Sequence, residues 1–188
     1  MRIKYNAPVI LTFTFISALV LILSSTLLPF LTESWFMVPG KGGFAPSRIQ
    51  NWVSLVSHVI GHANWTHLIA NFSLILLIGP ILEERYGSRS LLEMIFLTAL
   101  VTGVLNVFLF SKGLLGASGV AFMMILLASF TNFKKGEIPL TFVLIVVLYL
   151  GRELVNSLAA NSISEFAHII GGFCGSLFGF FKTPASKA

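Results

Sequence analysis

Apolar and polar positions alternate along this chain in long blocks rather than in short periods. Six apolar runs can be traced, at about Pro8–Leu31, Trp65–Leu82, Ser90–Phe110, Leu114–Phe130, Ile138–Leu150 and Ser164–Phe181. Runs near twenty residues are long enough to cross a bilayer as helices. A helix satisfies its own backbone hydrogen bonds, as lipid demands. The pattern predicts an all-α polytopic membrane protein, a six-transmembrane-helix bundle forming a single domain over residues 1–188. The fourth and fifth runs are short, the fifth continuing towards Arg152 and Glu153. The first run follows Arg2 and Lys4 and opens like a signal peptide. Its apolar core is too long for one and lacks a small-x-small cleavage site, so it reads as a retained anchor.

Between the first two runs lies a polar loop, Thr32 to Asn64, rich in Gly, Pro and Ser from Pro39 to Ser47. Its second half, Trp52 to Ile60, is amphipathic enough to lie in the membrane interface. Trp65 then marks the start of the second span as an interfacial aromatic. The other connections are short: Glu83–Gly87, Ser111–Gly113 and Asn132–Gly136.

Composition sharpens this picture. The chain is 56% hydrophobic and 10% charged, with mean hydropathy +0.92. Soluble domains carry about 25% charged residues. The formal charge of +5 does not point to nucleic acid, because the basic residues are scattered between apolar runs. They read instead as topology. With both termini inside, the inner segments hold Arg2, Lys4, Arg85, Arg89, Lys134, Lys135, Lys182 and Lys187. The outer segments hold only Lys41, Arg48, Lys112 and Arg152. That bias places both termini in the cytoplasm and the Thr32–Asn64 loop outside, as in a bacterial inner (plasma) membrane protein. The single Cys174 excludes an internal disulfide framework and a multi-cysteine zinc site.

Polar side chains inside spans are costly and commonly line a wet cavity or bundle interior. Three spans carry them: His67 and Asn71 in the second, Ser118 in the fourth, His168 in the sixth. Counted at about 1.5 Å per residue from each outer end, all four sit in one layer. Gly116-Ala117-Ser118-Gly119 reads either as close helix packing or as a nucleophile at a helix amino terminus, where backbone N–H groups face a developing oxyanion. His168 lies one turn before Gly171, which with Gly175 forms a G-x-x-x-G face suited to close approach of another helix. His67 and Asn71 share a helix face, and either bridge helices or donate to an oxyanion. His58 and His62 are also four apart. They read as structural hydrogen-bonding residues, and no metal site is expected because no Asp or Cys completes the set.

The acids limit the chemistry further. All seven are Glu, with no Asp anywhere. An aspartyl dyad and a Ser-His-Asp triad are therefore impossible. H-E-x-x-H is absent, and the G-x-S-x-G elbow fails because Val120 follows Gly119. A Ser-His dyad of Ser118 and His168 remains, its base oriented by packing. Glu165, three residues before His168, is not expected to be a third member.

These motifs resemble the rhomboid family of intramembrane serine proteases, in its minimal six-span bacterial form. The resemblance rests on His67-x-x-x-Asn71, Gly116-x-Ser118-Gly119 and Ala167-His168-x-x-Gly171-x-x-x-Gly175, in order and in the matching spans. Glu83, Arg85 and Gly87 match a further E-x-R-x-G, and the likeness covers roughly Trp52 to Gly179. It implies Ser118 as nucleophile and His168 as general base and acid. The Ser118 backbone N–H would form the oxyanion hole with the His67 and Asn71 side chains. No cofactor is implied. Substrates would be single-span membrane proteins, cut near the outer face.

Two features depart from the family pattern. Trp52 is followed by Val53 where Trp-Arg is frequent. Phe122 stands where a Tyr often packs on the catalytic His, so ring packing is expected without the hydroxyl. The competing expectation is a catalytically inactive rhomboid-like protein that binds or moves transmembrane segments.

Overall fold

The computed structural model describes residues 3–129, 140–145, 147–148 and 163–181. The described helices are α1 (Pro8–Thr26), α2 (Leu31–Trp35), α3 (Ile49–Ser57), α4 (Trp65–Tyr86), α5 (Ser88–Leu109), α6 (Ser118–Ser129), α7 (Leu140–Ile145) and α8 (Ile163–Phe181). α1, α4 and α5 are long and apolar enough to cross a membrane, while α6 and the Phe166–Phe181 part of α8 are shorter apolar helices. The all-helical expectation holds among the described residues. The fifth expected span is described only in part, as α7, and Arg152 and Glu153 lie outside the described residues.

α6 is the axis of the bundle. Every residue from Gly119 to Leu127 is buried, and so is Ser129. A helix apolar all round belongs in a core. α1 instead turns Phe15, Ile16, Leu19 and Ile22 outward. Lipid tails are as apolar as leucine, so helices in a bilayer associate through close van der Waals packing rather than hydrophobic exclusion. The glycines of α8 serve that end. A Cβ on Gly171 would overlap the Gly119 carbonyl oxygen, and one on Gly175 would overlap that of Met123. The two backbones are thus in direct contact along one seam.

Several boundaries differ from the sequence expectation. The first span ends at Thr26, and Leu31–Trp35 forms a separate short helix. Glu83–Tyr86, expected as a turn, completes α4. The turn is Gly87 alone, whose φ of +81° suits only glycine. The fourth span, expected from Leu114, begins at Ser118. Leu114 instead pairs with Val38 through two backbone hydrogen bonds, Val38 N–H to Leu114 O at 3.0 Å and Leu114 N–H to Val38 O at 2.9 Å. The long loop is therefore tied into the bundle. It also carries the amphipathic α3, whose Leu55 carbonyl packs directly on Gly103 of α5.

Glu83 is a buried acid with a structural role. Its carboxylate accepts the Val9 N–H at 3.0 Å, the Ile10 N–H at 3.1 Å and the Ser88 hydroxyl at 2.7 Å. Ala7, at the N-cap of α1, offers no side-chain cap. Glu83 therefore caps α1 from α4, satisfying two of the donors that a helix start leaves open and placing negative charge at the positive end of the dipole.

Candidate active site

Four segments meet at the amino-terminal end of α6. Gly116 enters with φ +113°, a conformation open to glycine alone among common residues, and its N–H donates to the His58 carbonyl at 2.9 Å. That bend stops the extended segment and lets α6 start at Ser118. The first N–H groups of a helix have no carbonyl partner within the helix itself.

The space beside Gly116 is a cradle. A Cβ there would lie 2.5 Å from His67 Cε1, 2.7 Å from His67 Nε2 and 3.5 Å from Asn71 Nδ2. The glycine thus lets the His67 and Asn71 side chains of α4 close on the backbone just ahead of Ser118. His67 is held at the start of α4, where its backbone N–H donates to the Asn64 side chain at 2.8 Å. Asn71 is buried, while Ser118, His67 and His168 are partly exposed.

α8 brings in His168. Gly119 abuts the Ala167 carbonyl, with a virtual Cβ 3.1 Å from that oxygen. The residues next to Ser118 and next to His168 are therefore in backbone contact. The His168 ring lies flat on Phe122, centroids 4.2 Å apart and planes 3° from parallel. The ring packing expected of Phe122 is present. The structure thus gathers Ser118, His168, His67, Asn71, Gly116, Gly119 and Phe122 at one place, and Gly171 and Gly175 form the seam below.

His58 and His62 follow a different course from their helical spacing. α3 ends at Ser57, so the two rings diverge. His58 Nδ1 lies 3.2 Å from the Ser54 carbonyl, and Nε2 lies 3.3 Å from the Thr102 hydroxyl of α5. His62 Nε2 meets Asn71 Nδ2 at 3.1 Å and the Ala117 N–H at 3.4 Å. Both rings lie outside the spanning helices, and burial lowers the pKa of each to about 4. They are neutral hydrogen-bonding residues. Among the described residues no three His, Cys, Asp or Glu side chains gather to hold a metal ion. Thr102 and the His62–Asn71 contact were not legible in the sequence, since neither spacing nor residue type singles them out.

A bundle with a glycine-packed central helix, a serine at its start and a histidine on the adjoining helix defines a class of membrane-embedded proteins. The rhomboid domain model matches residues 50–185, and the chain belongs to the rhomboid family. It is similar to Rhomboid protease GlpG of Haemophilus influenzae, at 22% identity over 135 residues, covering 70% of each chain. The chain is accordingly an integral membrane protein.

Proposed function

We propose that this protein is an intramembrane serine endopeptidase that cuts single-span membrane proteins near the outer face of the bilayer. The observation that supports this reading is the contact of Gly119 with Ala167, the neighbours of Ser118 and His168, beside the Gly116 cradle lined by His67 and Asn71. The rhomboid family and the named function of the Haemophilus influenzae relative support it.

In this mechanism the Ser118 hydroxyl attacks the scissile carbonyl and His168 accepts its proton. His168 then protonates the leaving amine, and the acyl-enzyme is hydrolysed by water with His168 again as base. The tetrahedral oxyanion is stabilised by the Ser118 N–H, His67 and Asn71. The stacked Phe122 holds the His168 ring in place of a carboxylate. No cofactor takes part. The bundle has six spans, both termini are cytoplasmic, and the membrane is the bacterial inner (plasma) membrane.

A serine-reactive fluorophosphonate tests the reading. The wild-type protein should be labelled and should cut a model single-span substrate. Ser118→Ala should abolish both while leaving thermal stability nearly intact. His168→Ala should be as damaging, and the double variant no worse, because dyad members act as a unit. Cleavage retained in Ser118→Ala would refute the assignment. A folded wild type that is neither labelled nor active would favour a rhomboid-like protein that only binds transmembrane segments.

A further inference from the structure

His62 lies between α3 and α4 and is 1% exposed. Its Nδ1 is 3.1 Å from the Ile60 carbonyl oxygen. A carbonyl only accepts, so Nδ1 carries the hydrogen. Burial keeps the ring neutral, its pKa lowered to about 4. A neutral imidazole has one N–H, so Nε2 is an acceptor.

That assignment decides the orientation of Asn71. The amide meets Nε2 at 3.1 Å and must therefore present its NH2 group there rather than its oxygen. One N–H is used by His62. The second remains on the same nitrogen, which faces the Gly116 cradle 3.5 Å from the virtual Cβ. The same Nε2 also takes the Ala117 N–H, at the longer distance of 3.4 Å. The ring thus joins the amide on α4 to the backbone one residue ahead of Ser118.

We propose that His62 is the positioning residue of the oxyanion cradle, its Nε2 lone pair fixing the Asn71 amide with the donor end towards the reacting carbonyl. The inference rests on the serine-protease reading above. With His62 replaced by an apolar residue, the amide is released to turn its oxygen inward, where it would repel the oxyanion. Glutamine at this position offers an oxygen in place of Nε2 and restores the constraint.

The test combines a tautomer measurement with kinetics on the full-length protein in detergent. Nitrogen-15 spectra of the His62 ring near neutral pH should show protonated Nδ1 and bare Nε2. The opposite tautomer overturns the inference whatever the activity. His62→Leu should lower kcat by about tenfold or more with little change in KM, since the lost donor acts mainly in the transition state. His62→Gln should recover most of that loss. The pair His62→Leu with Asn71→Ala should be no slower than Asn71→Ala alone, because one residue acts through the other. A folded His62→Leu with wild-type kcat, or losses that simply multiply, would overturn this inference while leaving the protease reading intact. A wild type inert to substrate and fluorophosphonate would overturn both.

Discussion

Replacing Gly171 by alanine separates catalysis from stability at the α6–α8 seam. In an ordinary helix the change favours the helix by about 1 kcal/mol. Here the new Cβ would sit 2.9 Å from the Gly119 Cα and inside the contact distance of its carbonyl oxygen. Carbon atoms pack comfortably at about 3.5–4.0 Å, so α8 must move away by about 1 Å. Overpacking of this kind costs about 1–3 kcal/mol, which the propensity gain partly offsets, leaving roughly 0–2 kcal/mol of net destabilisation. Catalysis is less forgiving. Gly119 adjoins Ser118, and the moving helix carries His168. A misplacement of about 1 Å between reacting groups costs about a hundredfold in rate. Gly171→Ala should therefore reduce kcat by about 10–100-fold while its melting temperature falls by only a few degrees. Cleavage kinetics, fluorophosphonate labelling rate and thermal unfolding in one detergent check this. Wild-type kcat in the folded variant would refute the close-contact argument, and most plainly so if its melting temperature rose.

Other outcomes follow from individual contacts. Glu83→Ala should leave the N–H groups of Val9 and Ile10 without their carboxylate partner, and Ile10 is fully buried. At about 1–3 kcal/mol per orphaned buried group, melting should fall by roughly 5–15 °C. Activity well below the melting range should be unaffected, and an unchanged melting temperature would remove the cap from the account. Acidification should destabilise the protein through His58 and His62, whose pKa values drop from 6.5 to about 4 on folding. The unfolded chain binds more protons between those values, so stability falls as pH drops from 6.5 towards 4 and their contribution is flat above 6.5. Melting scans across that window check it, and a constant melting temperature would contradict the burial of both rings. Single cysteines at Lys112 and Glu84 in a Cys174→Ser background test the topology. Impermeant reagent on intact cells should reach position 112 and not 84, and the reverse pattern would invert the protein and move the site to the inner face.

The sequence by itself determined the solvent and singled out the residues proposed for the chemistry. Long apolar runs select a helical bundle because lipid offers the backbone no hydrogen-bond partner. The absence of Asp left a serine and a histidine in short motifs that need no distant context to be read. It also indicated close approach at Gly171 and Gly175, since small residues four apart form one helix face whatever surrounds them. Tertiary structure decided what depends on meeting partners remote in the chain. The start of α6 moved from Leu114 to Ser118 because Val38 captures Leu114 and Gly116 bends the entry. Glu83 became a cap only because α1 docks on α4 with its own N-cap position held by an alanine. His58 and His62 share a helical spacing but not a helix, because α3 ends at Ser57 and leaves each ring to a different neighbour. One goes to Thr102, the other to Asn71. Hydrogen bonds between residues 9 or 44 positions apart have no local signature, since burial and direction are properties of the packed bundle rather than of any window of sequence.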